Sequence, residues 1–200
     1  MPVDLQLRCR CGQMRGVARG VAPSSGFRLT CYCKDCQAFA RFLGRPDVLD
    51  AAGGTDIFQM PPARLEITTG AEALRCLRFS EKVFRWYAEC CKTPIANTAS
   101  TRRFPVVGLI HSFMDFEASG RSRDEVLGLP LCRIHERSAI RPLPADAPRP
   151  ASLGIFAHRT VKVLDWWMRG LGRPSPFFDD TSGVPVSVPR AFARGERIVI

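Results

Sequence analysis

The spacing of the cysteines limits the possible folds of this 200-residue chain more than its other motifs do. Seven of its nine cysteines stand in three short groups far apart in the sequence, as expected of metal ligands supplied by separate segments. In a reducing compartment such groups favour metal binding or redox chemistry over disulfides, and an odd number cannot pair completely. The groups are Cys9-Arg10-Cys11, Cys31-Tyr32-Cys33-Lys34-Asp35-Cys36 and Cys90-Cys91.

The middle group predicts a zinc site with an open position. Cys31 and Cys33 project from one face of an extended segment, and the spacing of Cys33 and Cys36 suits the tight turn of a zinc knuckle. Three thiolates fill three corners of the zinc tetrahedron, and an open corner distinguishes catalytic from structural zinc. The alternative, a redox Cys-x-x-Cys, is expected in a strand-helix-strand unit, which this half of the sequence does not indicate.

The other two groups predict a second zinc site. Cys9-Arg10-Cys11-Gly12 offers a same-face pair, followed by a glycine that lets the backbone turn around a metal. Adjacent residues of a regular strand face opposite ways, so Cys90 and Cys91 can share one ion only at a bend, with which Thr93-Pro94 is consistent. If only one of them binds, this site is incomplete, and a single zinc per chain is the remaining alternative. We interpret Cys76 and Cys132 as small buried apolar residues.

The fold class predicted is mainly β, with packed antiparallel sheets. From Leu5 to Thr98 the sequence consists of short extended segments broken by turns, of which Arg64–Thr69 and Leu74–Phe79 alternate most clearly, with Gly70 between them. A short helix is expected over Gln37–Leu43, ended by Gly44.

The C-terminal part predicts an amphipathic helix and a tail. Four prolines in residues 141–150 indicate an extended linker, so we divide the chain into a zinc-binding β domain (1–140), a linker (141–151) and a helix with a tail packed on the core (152–200). Ser152 can cap this helix, Gly170 or Gly172 can end it, and Arg197–Ile200 is a candidate last strand. Packing on the core is favoured over a membrane-surface role. The predicted apolar face carries Phe156, Val163, Leu164, Trp167 and Met168, and the polar face carries His158, Arg159, Lys162 and Asp165.

The net charge of +10 comes from basic residues spread along the whole chain. Without a Lys/Arg-rich block or a nucleic-acid motif, nucleic acid is not favoured as a partner, whereas anionic small molecules and acidic proteins are admissible. A secretory pattern and a stretch of some 20 apolar residues are both lacking, which predicts a cytoplasmic protein without a membrane. The oligomeric state is left open.

These motifs resemble the family of glutathione-dependent formaldehyde-activating enzymes, which includes centromere protein V. The family pattern is Cys-x-Cys-Gly, then Cys-His-Cys-x-x-Cys, then Cys-x-x-Cys-Gly-Thr-Pro. The chain matches it over roughly residues 5 to 100, at Cys9-Arg-Cys-Gly12, Cys31-Tyr-Cys-Lys-Asp-Cys36 and Cys90-Cys-Lys-Thr-Pro94, with Gly53-Gly-Thr-Asp56 and Ile67-Thr-Thr-Gly70 between them.

The resemblance implies a fold of packed β-sheets with two zinc sites. It implies a structural zinc on Cys9, Cys11 and the Cys90/Cys91 region, a catalytic zinc on the middle group, and the addition of glutathione to formaldehyde, a carbon-sulfur lyase activity. Three departures are Tyr32 in place of the family's His, Ala88 in place of the first cysteine of the last pair, and Lys92 in place of the Gly after the last ligand. Such a divergent branch is expected to keep the fold better than the activity.

The enzyme hypothesis is that the middle site binds the sulfur of a small thiol such as glutathione, which then attacks an aldehyde. Arg41, Arg85 or Arg103 could hold its carboxylates. No histidine lies near the middle motif in the sequence to act as a base, so the three histidines, His111, His135 and His158, are interpreted as structural. The rival hypothesis is a non-catalytic zinc module that binds an acidic protein or nucleic acid.

Overall fold

The computed structural model describes residues 1–192, and its fold is mainly β with packed sheets, as predicted. Short alternating segments separated by glycine and proline turns account for the many strands. The strands are β1 (Val3–Arg8), β2 (Arg15–Val21), β3 (Phe27–Cys31), β4 (Thr55–Met60), β5 (Leu65–Thr69), β6 (Leu74–Ser80), β7 (Val83–Ala88), β8 (Thr93–Ala99), β9 (Val107–Ile110), β10 (Cys132–Ile134) and β11 (Arg190–Ala191).

Four α-helices accompany the strands within the described residues. They are α1 (Lys34–Phe42), α2 (Phe116–Ser119), α3 (Arg123–Leu127) and α4 (Leu153–Met168). Two of them agree with the sequence: α1 covers most of the predicted segment and stops before Gly44 (φ +64°), and the Ser152 side chain caps α4 by accepting from the Ile155 N–H at 3.3 Å.

The strands form two sheets. The first has the order β1-β2-β5, and the second has the order β10-β3-β4-β9-β8-β7-β6-β11. Neighbouring strands are antiparallel except at the two edges of the larger sheet, where β10 runs parallel to β3 and β11 parallel to β6. In the larger sheet β3 carries Cys31 and β7 carries Arg85. The strands β4, β9 and β8 lie between them.

One face of the larger sheet packs on the smaller sheet and forms the main core. Directly paired residues of antiparallel strands share a face, and one such row is apolar across five strands. Leu5 and Leu7 of β1 pack in the same core from the smaller sheet, and Phe177 and Phe178 of the tail complete it. The row consists of Phe58, Leu109, Ala96, Trp86 and Cys76.

The opposite face of the larger sheet packs on α1 and α4. Phe39 of α1 and its C-cap Leu43 pack with Leu77 and Ile110, whereas Ile155 of α4 contacts the cluster around Leu29. This leaves the middle strands uncovered by apolar packing between the two helices. The uncovered area becomes the floor of the cavity described below.

The predicted orientation of α4 is wrong. Four of the five residues assigned to its apolar face are at least half exposed, and only the fifth, Val163, is buried as predicted, together with Trp166, which we had not assigned to it. Arg159, which we assigned to the polar face, is half-buried against the sheet. Hydrophobic periodicity located the helix but not its rotation, because the sheet surface below it is partly polar and takes up an arginine. The exposed apolar residues are Phe156, Leu164, Trp167 and Met168.

The segment of residues 141–150 lies against β10, since the Arg133 N–H donates to the Arg149 carbonyl at 2.8 Å. The candidate strand Arg197–Ile200 lies outside the described residues. No helix within residues 1–192 combines the length and the apolar character needed to cross a membrane.

Candidate metal centre

The first and last cysteine groups come together at one end of the fold, as the four-cysteine cluster of Cys9, Cys11, Cys90 and Cys91. The first pair lies in the turn after β1, where the Gly12 N–H donates to the Cys9 carbonyl at 2.9 Å and the glycine takes φ +78°. The second pair lies in the turn between β7 and β8. Because the chain turns there, the sulfurs of both Cys90 and Cys91 lie beside those of Cys9 and Cys11, as the hypothesis of a bend at this pair required.

The spacing of these sulfurs fits a tetrahedral metal site. The Sγ atom of Cys90 lies 3.4 Å from that of Cys11, 3.7 Å from that of Cys9 and 3.9 Å from that of Cys91. Zinc–sulfur bonds of about 2.3 Å in a tetrahedron place sulfurs about 3.8 Å apart. The cluster could therefore hold a metal ion, and thiolate donors select zinc, copper(I) or iron–sulfur clusters.

The bend that brings Cys90 and Cys91 together is not where we expected it. Thr93 and Pro94 already belong to β8, and the turn is made by Lys92, a non-glycine residue at φ +56°. In the resembling family this position is Gly, which adopts such a φ without steric cost. The replacement of this glycine by Lys92 therefore keeps the turn but places a side chain in a strained backbone conformation.

Hydrogen bonds tune the thiols of this cluster. The Met14 N–H donates to Cys9 Sγ at 3.3 Å, and the Thr93 hydroxyl lies 3.1 Å from Cys91 Sγ. Burial raises the pKa of Cys9. Burial alone would raise the pKa of Cys91 too, but hydrogen bonds from Thr93 and Cys11 outweigh it and bring this pKa to about 6. A low thiol pKa favours metal binding, because the thiolate is the ligand.

The middle group forms the three-cysteine cluster of Cys31, Cys33 and Cys36, whose sulfurs all lie within 4.8 Å of one another. Cys31 ends β3, Cys33 is the N-cap of α1 and Cys36 lies in its first turn. The Cys36 N–H donates to Cys33 Sγ at 3.4 Å. The end of β3 and the start of α1 thus bring the three sulfurs together. The positive end of the helix dipole at the N-terminus of α1 favours their thiolate forms.

A buried arginine supports this cluster. Arg85 of β7 is 4% exposed. Its Nη1 lies 3.5 Å from Cys36 Sγ and donates to the side-chain Oδ1 of Asn97 at 3.0 Å. Hydrogen bonds from Cys31 and Cys33 lower the pKa of Cys36 well below its usual value, and Arg85 contributes to the same shift. Hydrogen bonds with Cys33 and Cys36 raise the pKa of Cys31. In the absence of a metal, Cys36 is therefore the first of these two thiols, Cys31 and Cys36, to lose its proton.

The three-cysteine cluster opens into a cavity of about 360 Å³, which we call the cysteine cavity. Its floor is a row of paired residues across four strands: Gln59 pairs with Gly108, Gly108 with Asn97, and Asn97 with Arg85. Gly108 keeps the floor open, since a Cβ there would lie 2.9 Å from the Ile57 side chain. The row could not be found from the sequence, because it depends on the register of four strands.

One histidine lies at this cavity, contrary to our expectation from the sequence. The parallel pairing of β10 with β3 sets Ile134 opposite Cys31, and the next residue, His135, lines the cavity and is exposed. His111 lies elsewhere, with Nδ1 3.3 Å from the Asp56 carbonyl oxygen. The interpretation of His135 as remote from the motif was therefore wrong, because sequence distance hid a strand pairing.

Position 32, where the resembling family has His, faces away from the cysteine cavity. Tyr32 is buried, and its hydroxyl donates to the Asp50 carboxylate at 3.0 Å. Burial raises the pKa of this tyrosine to about 12. The side chain at position 32 therefore buttresses the turn of residues 50–54 and does not serve the three sulfurs.

The cations of the cavity differ from those we predicted. Of the three proposed arginines only Arg85 lines the cavity, whereas Arg41 and Arg103 are exposed elsewhere. Two that the sequence did not indicate, Lys82 and Arg159, also line it. The two cysteines interpreted as apolar, Cys76 and Cys132, are buried as expected, and all nine cysteines are free thiols.

The structure thus brings all seven predicted ligands into two clusters that could hold metal ions, while the assignment of each ligand stays a prediction. A comparison with curated proteins gives no match. The family model of DUF6151, described as a family of unknown function, matches residues 1–188, a span that includes both clusters and α4. The chain therefore belongs to DUF6151.

Proposed function

We propose that this protein is a zinc-dependent carbon-sulfur lyase that adds glutathione or a similar small thiol to formaldehyde. The observation that carries the proposal is that the three-cysteine cluster, with three donors only, opens into the cysteine cavity. The resemblance of the cysteine motifs to the formaldehyde-activating family supports the choice of substrates. Zinc held there would lower the pKa of a bound thiol and so supply a thiolate near neutral pH.

The four-cysteine cluster takes the structural role in this proposal. Its four sulfurs supply a complete tetrahedron, which leaves no position for a substrate. It joins the turn after β1 to the turn before β8 and so ties the smaller sheet to the larger one. The three-cysteine cluster keeps the reactive role, because all three of its cysteines line the cysteine cavity, whereas the four-cysteine cluster contributes only Cys9 to a neighbouring cavity.

The residues around the cavity have distinct tasks. Arg85 donates to Cys36 and holds this sulfur in place, which makes it a positioning residue. In the addition the thiol sulfur forms a bond to the formaldehyde carbon, the C=O π bond breaks, and the thiol proton passes to the oxygen. His135, at the cavity wall, is suited to carry that proton, since a neutral imidazole has one nitrogen that accepts a proton and one that donates.

Metal analysis and exchange kinetics test the proposal. We expect about two zinc ions per chain, and a faster combination of ¹³C-formaldehyde with glutathione, followed by NMR exchange spectroscopy, in the presence of the protein. Cys33→Ser should remove one zinc and the rate effect together. If fully loaded protein neither binds glutathione nor changes this rate, the proposal is wrong. A salt-sensitive affinity for nucleic acid in its place would favour the rival zinc module.

A further inference from the structure

Arg159 of α4 reaches across the cysteine cavity to the sheet. Its Nε donates to Gln59 Oε1 at 2.6 Å, and its guanidinium lies 5.9 Å from the centre of the Phe104 ring. These two contacts fix the plane of the guanidinium, and within residues 1–192 it makes no other hydrogen bond. Its Nη groups therefore keep their donors for a ligand, in the planar fork that matches acidic oxygen groups.

The charge of Arg159 has no partner among the residues that the structure describes. Other buried arginines have one: Arg28 pairs with Asp56, and Arg45 with Asp47, each at 2.7 Å. Burial lowers the pKa of Arg159, because the charged guanidinium is less well solvated there than in water. A half-buried cation without a counter-ion is destabilising unless a ligand supplies the charge.

Apart from the three cysteines, the other charged side chains that line the cavity are also basic. Lys82 and Arg85 line it with Arg159, and over residues 1–192 neither an aspartate nor a glutamate does. Arg85 is already engaged by Cys36 and Asn97, and Asp35 lies 3.9 Å from its Nη2. Arg159 is therefore the cation best placed to meet an anion that enters the cavity, with Lys82 at the exposed side.

We propose that Arg159 binds the acidic oxygen group, a carboxylate or a phosphate, of the small ligand whose other end reaches the three-cysteine cluster. This inference rests on the proposed function only in taking that other end to be a thiol. It gives α4 a role in substrate selection, since the helix that covers the sheet also supplies the specificity-determining cation.

A pair of thiols that differ in one group tests the inference. With cobalt-loaded protein, binding of 3-mercaptopropionate and of 3-mercaptopropanol is measured from the thiolate-to-cobalt absorption. We expect the acid to bind about 10- to 100-fold more tightly, as a charged hydrogen-bonded pair would give. Arg159→Gln should abolish this preference, and Arg159→Lys should retain part of it. Arg169→Gln, an exposed arginine just after α4 whose partner is Asp165, should leave it unchanged.

Anions without sulfur separate this inference from the proposed function. Glutarate and inorganic phosphate are titrated calorimetrically into wild type and Arg159→Gln, and the stronger binder identifies the acidic group. Equal affinity for both thiols, or a preference that Arg159→Gln keeps, overturns the inference while thiol binding stands. If neither thiol binds but an anion binds through Arg159, the thiol chemistry is wrong and the anion site stands. If no thiol and no anion binds, both are wrong.

Discussion

Nη1 of Arg85 lies 3.5 Å from Sγ of Cys36, and this contact joins the middle of the larger sheet to the first turn of α1. The guanidinium is held from two further sides, by Asn97 at 3.0 Å and by the rings of Phe39 and Phe79 at 5.8 and 5.9 Å. Because these contacts hold Arg85 in place, its guanidinium also fixes the position of Cys36 Sγ. Groups that orient a metal ligand in this way tune metal affinity.

Arg85→Gln is expected to weaken metal binding at the three-cysteine cluster alone. Removing the donor to Cys36 should reduce affinity there about 10- to 100-fold, the usual effect of losing a group that orients a ligand. Competition with a chromogenic zinc chelator measures both sites. Arg41→Gln, at an exposed position, is the control and should change neither affinity. Unchanged affinity in a folded Arg85→Gln protein would remove the positioning role.

Cys11→Ser is expected to remove one metal ion and to lower the thermal midpoint of the loaded protein. Cys11 is exposed, so the substitution leaves the apolar core intact and its effect reports on the four-cysteine cluster. Metal binding at a structural site contributes directly to folding. Cys76→Ala, in the core, should keep the metal content although it loses roughly 1 kcal/mol of stability. Equal metal content in wild type and Cys11→Ser would contradict the prediction.

Lys92→Gly is expected to stabilise the protein by about 0.5 to 1 kcal/mol, because glycine adopts the positive φ of this turn without strain. The substitution also removes two contacts of Lys92, an ion pair with Glu89 and a position 5.5 Å above the Tyr87 ring. These contacts are exposed and contribute little to stability. Urea unfolding measures the difference. Lys92→Ala removes the same contacts but keeps a Cβ, and should gain nothing. A Lys92→Gly protein no more stable than Lys92→Ala would show that the turn is unstrained.

Gly108→Val is expected to reduce thiol binding while both metal ions remain. The new side chain would rise from the floor of the cysteine cavity beside Ile57, between Gln59 and Asn97. Calorimetric titration of glutathione against the zinc-loaded protein measures the loss, with metal content determined on the same sample. As the control, Gly154→Ala lies in the exposed first turn of α4, and binding should be unchanged. Full affinity in Gly108→Val would place the ligand elsewhere.

Asp56→Asn is expected to destabilise the fold by about 3 kcal/mol at neutral pH, because it breaks a buried ion pair with Arg28. Burial tends to raise the pKa of Asp56, but the hydrogen bond from Arg28 outweighs it and the pKa is lowered. A lowered folded-state pKa stabilises the protein above the unfolded value of about 4, and this stability is lost as the pH falls through the folded value. Urea unfolding at several pH values should therefore show wild type and variant converging only below about pH 4. A constant difference down to pH 2 would contradict the ion-pair explanation.

Features that depend on neighbouring residues could be predicted from the sequence. The spacing of Cys33 and Cys36 is realised within one helical turn, the break at Gly70 and the end of α1 before Gly44 follow from glycines at positive φ, and Ser152 caps α4. Each of these is decided within a few residues, where spacing and backbone preference suffice.

Contacts between groups far apart in the chain depend on how the strands and helices pack. His135 reaches the cysteine cavity because Ile134 pairs with Cys31. Arg159 reaches it because it lies on the side of α4 that faces the sheet, together with the buried Val163 and Trp166. The strand register that aligns Gln59, Gly108, Asn97 and Arg85 has no local signal. The sequence indicated Arg85 as a candidate cation of the site but neither Lys82 nor Arg159, because register and helix rotation are set by packing between segments far apart in the chain.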